Sequence, residues 1–131
     1  MANFIRITPI VHVDDVDAAV TFFTDILGFK ACIHASDYAY VQREVAGIRI
    51  LKASQSPGEE VAPGTRRFMY YIDVDDVDDL YSELKPKLEA LPRGDVYGPV
   101  NQAYGQREFM ILAPDGNLVV FGQSIFESPQ D

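Results

Sequence analysis

The sequence predicts an α+β protein made of two βαβββ modules in tandem, an internal repeat. Three observations lead there. Val13-Asp14-Asp15-Val16-Asp17 returns letter for letter as Val74-Asp75-Asp76-Val77-Asp78, an offset of 74 − 13 = 61 residues. Each copy follows a short apolar run, Ile10-Val11 and then Tyr70-Tyr71-Ile72. Each copy also leads into apolar residues at helical spacing: Val16, Ala19, Val20, Phe23, Leu27, then Val77, Leu80, Tyr81, Leu84, Leu88. Offsets of three, four and seven place those side chains on one helix face. A fixed internal period constrains the fold more than any single element does.

Taken in order, residues 4–12 form a strand that Pro9 bends or places at an edge. The first helix covers 15–27, with Gly28 as its C-terminal stop. Acids at a helix start accept free N–H groups and oppose the positive dipole end, which explains the Asp clusters. Phe29 to Ile33, Tyr38 to Arg43 and Ile48 to Leu51 follow as strands, the last two separated near Ala46-Gly47. Residues 54–66 are the long loop joining the two copies. The second module opens with a strand from Arg67 to Val74 and a helix over about 76–90, where Pro86 predicts a kink or an early end. Residues 96–103 are poorly patterned. Arg107 to Leu112 pairs with Leu118 to Gly122 across Ala113-Pro114-Asp115-Gly116-Asn117, whose Pro, Asp and Gly supply turn conformations. Residues 124–131 are a polar tail in which Ile125 and Phe126 can dock. A ferredoxin-like repeat would leave no room for three strands between Gly28 and Arg67.

Length and composition set the bounds. The 131 residues suit one domain, with module one at about 4–53 and module two at about 67–123. No apolar run approaches the roughly 20 residues of a membrane span, and the N-terminus lacks a signal-peptide pattern, so the cytoplasm is expected. One cysteine, Cys32, excludes an internal disulfide and a multi-cysteine zinc site. A net charge of −9 disfavours nucleic acid and would suit a cationic ligand. Seven of the acids (Asp14, Asp15, Asp17, Asp75, Asp76, Asp78, Asp79) lie at the two helix starts, however, where capping accounts for them.

The helix exit Leu27-Gly28-Phe29 and the runs Tyr104-Gly105-Gln106-Arg107-Glu108-Phe109, Pro114-Asp115-Gly116-Asn117-Leu118 and Phe121-Gly122-Gln123 carry a family likeness. With the repeat, they resemble the glyoxalase/bleomycin-resistance/dioxygenase superfamily, the vicinal oxygen chelate fold. Thr8-Pro9-Ile10-Val11, Asp15-Val16, Ala19 to Asp25 and the Gly-Gln-Arg-Glu-Phe run bring the chain nearest the bleomycin-resistance branch. The resemblance, over about residues 4–123, implies that each module curls its sheet into half of a pocket. It implies a homodimer whose pockets are closed by modules from two chains, some members exchanging an N-terminal strand. Its ligand would be a flat, cationic bleomycin-type antibiotic, held without chemistry.

Enzymatic branches of that superfamily hold a divalent metal with His and Glu from four strands, donors that must converge at about 2 Å. The first-strand position, five before Val13, is Thr8; its repeat partner, five before Val74, is Met69. The last-strand position is Val120, and the fourth falls near Ile50 or Leu51. None is a usual ligand, so no metal, no other cofactor and no catalytic residue is expected. His12, whose repeat counterpart is Asp73, reads as a hydrogen-bonded or partly solvated histidine, and His34 as an exposed one. Cys32 reads as a buried or half-buried small side chain. A metal-dependent glyoxalase- or dioxygenase-like enzyme is the alternative.

Aromatic rings offer stacking faces to a planar ligand. A cation gains about 0.5–2 kcal/mol over such a face. Where resistance proteins stack the antibiotic between rings, this chain carries Tyr38 and Tyr104; it has no Trp. Tyr71 and Met69 share strand parity and should face the same pocket. Arg107 and Glu108 alternate, so either could line the pocket or form a surface pair. The ligand-binding set is therefore Tyr38, Met69, Tyr71, Tyr104 and Arg107.

Overall fold

Both Asp clusters fold as helix caps. Asp15 Oδ1 accepts the Ala18 N–H at 3.1 Å and Asp76 Oδ1 accepts the Asp79 N–H at 3.0 Å. The two caps are related by the 61-residue offset, and both cap residues are extended, as a side-chain cap requires.

The computed structural model describes residues 2–53 and 68–125. The chain divides into two compact units, Met1–Glu60 and Val61–Asp131. Unit one holds β1 (Ile10–Val13), α1 (Val16–Thr21), β2 (Lys30–His34), β3 (Tyr38–Arg43) and β4 (Ala46–Lys52). Unit two holds β5 (Met69–Asp73), α2 (Val77–Leu88), β6 (Val96–Asn101), β7 (Gln106–Leu112) and β8 (Leu118–Ser124). The strand orders are β1-β4-β3-β2 and β5-β8-β7-β6, one topology used twice. In each sheet the first pair is parallel and the others antiparallel. The α+β class and the doubled βαβββ order are as expected.

Pleat parity decides what each sheet presents. In unit one α1 packs on β2, β3 and β4. Val11, Val13, Ala39, Val41, Ile48 and Ile50 are buried there with Val16, Ala19 and Val20 of the helix. Tyr38, Tyr40, Arg49 and Leu51 alternate with them onto the open face. In unit two α2 packs on β6, β7 and β8. Phe109 stacks on Phe121 at 5.1 Å and meets Tyr81 edge-on at 5.4 Å. Val77, Leu84, Leu88, Ile111 and Val119 complete this core. Met69, Tyr71, Gln106, Glu108, Val120 and Gly122 fall on the opposite face by alternation.

Several boundaries differ from expectation. The first strand begins only at Ile10; residues 2–9 run without ladder pairing apart from Pro9 O accepting the Arg49 N–H at 2.9 Å. Pro9 has no N–H to give, and Phe4, Ile5 and Ile7 are exposed. The first helix changes pitch, becoming π-helical over Phe22–Ile26. The β3–β4 turn lies at Glu44-Val45 rather than Ala46-Gly47, with Glu44 at φ 49. Helix α2 passes through Pro86 to Leu88 instead of ending early. The stretch at 96–103 contains β6, whose pairing slips between Tyr97 and Val100 at the cis Gly98–Pro99 bond, which obscures its alternation. The last hairpin has the expected register, Leu112 opposite Leu118, closed by a 3-10 turn at Pro114–Gly116. Cys32 is exposed, contrary to expectation, because it lies on the outer strand β2 at a register shift between Ala31 and Ile33. The joining loop at 54–66 and the docking of Phe126 lie outside the described residues.

Candidate functional site

Glu108 is the centre of unit two's open face. It is 2 % exposed, and Gly122, directly opposite on β8, contributes no side chain beside it. The Tyr104 hydroxyl donates to Glu108 Oε1, while Oε2 is buried with no hydrogen-bond partner among the described residues. Its backbone is held from the other side. Gly98 has φ +100, and a Cβ there would sit 2.7 Å from the Glu108 carbonyl oxygen. Only glycine meets both conditions.

Tyr71 leans over Gly122 to reach the same spot. A Cβ on Gly122 would lie 1.8 Å from the Tyr71 hydroxyl, so the phenol occupies the space the glycine leaves. That hydroxyl donates to Gln106 Oε1 at 3.0 Å. Burial pushes the Tyr71 phenol above its usual range, and hydrogen bonding to Glu108 and the charges of Glu108 and Asp73 raise it further. Tyr104 is raised chiefly by its hydrogen bond to Glu108. Both rings remain accessible, Tyr71 at 40 % and Tyr104 at 64 %, and Met69 beside them is 61 % exposed.

The structure thus brings Tyr71 and Tyr104 together around a carboxylate, with Met69 two residues along β5. Arg107 is engaged elsewhere. Its guanidinium grips Asp78 at the start of α2 through Nε and Nη2 at 3.0 Å, and Nη1 donates to Asn101 at 3.0 Å. This contact holds the Asp78 carboxyl below its usual range. Of the alternating pair, Glu108 faces the tyrosines and Arg107 the helix end.

In unit one Tyr38 belongs to a different cluster. Arg49 Nη1 donates to the Tyr38 hydroxyl at 2.6 Å, and its guanidinium lies 5.3 Å from the centre of the Tyr40 ring. Tyr40 in turn fills the space over Gly47, 2.2 Å from where a Cβ would be. Sequence reasoning missed Arg49, Tyr40 and Gln106. Strand parity with Tyr38 would have flagged Tyr40, but Arg49 needed the cross-strand register. His34 is exposed as expected, its Nε2 2.6 Å from Asp17. His12 is exposed on β1 opposite Leu51.

Residues 6–121 match the model of the Glyoxalase/Bleomycin resistance protein/Dioxygenase superfamily. The chain belongs to this superfamily. Among its relatives are bleomycin resistance proteins of Geobacillus stearothermophilus and Staphylococcus aureus, each 27% identical over 128 residues, which span 89% of this chain and 95% of theirs. A solved bleomycin-binding protein from bleomycin-producing Streptomyces verticillus, complexed with copper(II)-bleomycin, is similar at TM-score 0.73 and 28% identity, covering 97% of this chain and 100% of that one. The bleomycin resistance determinant of the transposon Tn5 shares the fold at TM-score 0.75 and 21% identity, over 94% of this chain and 100% of its own.

Superfamily membership raises the question of a divalent metal, and the donor set does not fit one. Thr8 precedes the paired part of β1. Ile10 pairs with Arg49 and Tyr71 with Val120; since Ile10 and Tyr71 are 61 residues apart, Arg49 is the counterpart of Val120. The fourth position is therefore Arg49 rather than Ile50, which is buried on the helix side, or Leu51. Hydroxyl, thioether, isopropyl and guanidinium groups cannot cage a divalent ion. Among the described residues no three His, Cys, Asp or Glu side chains group as metal ligands. Nor is any described helix long and apolar enough to cross a membrane.

Proposed function

We propose that this protein is a non-catalytic, metal-free small-molecule binding protein of the bleomycin-resistance type. It sequesters a planar or cationic ligand, a bleomycin-type antibiotic, in a pocket closed between the two chains of a cytoplasmic homodimer. The observation that carries the reading is the open face of unit two, where two accessible phenol rings surround a buried carboxylate. Stacking faces and negative charge suit a flat cation. Tyr38 and Tyr40 with Arg49 supply the ring surfaces of unit one. Likeness to bleomycin resistance proteins along nearly the whole chain supports the same reading. So does the net charge of −9, whose field attracts cations.

Titration calorimetry with metal-free bleomycin tests it. Saturable heat at micromolar ligand is expected, and its absence removes the antibiotic assignment. Metal analysis after dialysis separates this reading from the enzymatic one: stoichiometric nickel, zinc, manganese or iron would overturn the metal-free assignment.

A further inference from the structure

The Glu108 carboxylate is half used. Oε1 takes the Tyr104 hydroxyl, but Oε2 is buried without a partner among the described residues, in a side chain only 2 % exposed. A carboxylate offers about four acceptor directions, and leaving one oxygen desolvated and unpaired is costly. A core position of this size would be more stable with an aliphatic side chain. Each phenol beside it has one proton to give: Tyr104 spends its own on Oε1, and Tyr71, close enough to Glu108 for hydrogen bonding to raise its phenol, directs its own to Gln106 Oε1 at 3.0 Å.

We infer that Glu108 is the charge-selecting residue of this face. Its unpaired oxygen receives an organic cation that bears N–H groups, an amidinium or a primary ammonium, between the rings of Tyr71 and Tyr104. The inference rests on reading this face as a ligand site. Three features choose that class. An ionised carboxylate only accepts, so the incoming group must donate. The tyrosine rings present negative faces, which favour a positive donor over a neutral amide. A metal ion is disfavoured because the described carboxylates of this face are two, Glu108 and Asp73, with no third ligating side chain grouped beside them, and the Gln106 carbonyl is already engaged by Tyr71. Both phenols are at the surface, so an incoming group meets their rings before the carboxylate.

Two probes of one shape test this: benzamidine, a flat amidinium, and benzamide, its neutral counterpart, each titrated into the full-length protein by amide chemical shifts. Benzamidine should bind at least about tenfold more tightly, a difference typical of a charge-assisted bond. The largest shifts should fall at Tyr71, Tyr104, Glu108 and Gly122. Glu108→Gln should abolish the preference. Equal affinities in the unsubstituted protein, shifts centred elsewhere, or an undiminished preference in Glu108→Gln would overturn the inference. Should Glu108→Gln not fold, the wild-type ratio and the shift map decide. An amidine preference without heat from metal-free bleomycin would remove the antibiotic and leave the subsite. Bleomycin binding without the preference would do the reverse.

Discussion

Gly122 carries the weight of a side chain by having none. Its absent Cβ is where the Tyr71 phenol lies, and that position lets the hydroxyl reach Gln106 beside Glu108. Gly122→Ala should swing the tyrosine aside, because the clash falls on the far end of a rotatable side chain. The expected loss of stability is small, about 1 kcal/mol, while bleomycin affinity falls by about tenfold or more. Calorimetry beside thermal unfolding checks both, and unchanged affinity would mean Tyr71 takes no part in binding. Tyr70 poses the opposite case on the buried face. Its ring stacks on Phe68 at 5.7 Å, and its hydroxyl is buried without a partner among the described residues. Burial holds that phenol well above the value of 10.0 it has in the unfolded chain. A raised folded pKa gives stability that is complete below about pH 10 and is lost as pH climbs beyond it. Tyr70→Phe should therefore leave neutral stability unchanged or raise it by about 1 kcal/mol. It should also soften the alkaline loss. Urea unfolding at neutral pH and near pH 11 measures both, and a destabilised Tyr70→Phe would reveal a partner for the hydroxyl.

Helix α2 shows how an element can survive a local fault. Pro86 has no N–H for the Ser82 carbonyl, yet the helix continues, and the Glu89 N–H still reaches the Lys85 carbonyl at 3.0 Å. Leu84 and Leu88, both buried, flank the proline and anchor the last turns to the sheet. Packing of an apolar helix face thus outweighs a poor propensity. Pro86 is itself exposed, so Pro86→Ala should stabilise the protein by about 1–3 kcal/mol. A lowered melting temperature would show that the ring is wanted there. At the other end, Asp76→Ala removes the cap on the Asp79 N–H and should cost about 1 kcal/mol.

At the scale of the whole molecule, the proposal requires two chains. Sedimentation at micromolar protein should give twice the chain mass of 14.6 kDa, and a species of the single-chain mass would sink the pocket shared between protomers. The repeat has diverged while its strand order has not. One strand order serves both units, but repeat-related positions now hold Arg49 and Val120, so the two open faces differ in charge. Unit one offers a guanidinium between tyrosines and unit two a carboxylate between tyrosines, which makes them complementary in chemistry rather than copies.

The sequence by itself determined the doubled βαβββ order, the Asp caps and the final hairpin. These depend on side-chain period, on one residue accepting an N–H three positions ahead, and on a turn of five residues. All are local, so spacing along the chain is enough to find them. Parity also placed Tyr71 and Met69 on one face. It left Glu108 and Arg107 undecided, because alternation separates two neighbours without saying which side the helix covers. Only the tertiary structure decided that Glu108 faces the phenols, that Arg107 serves the end of α2, and that Arg49 sits between Tyr38 and Tyr40. Those facts rest on which strands lie side by side, at what register, and on glycines whose value is the space they leave to a residue of another strand.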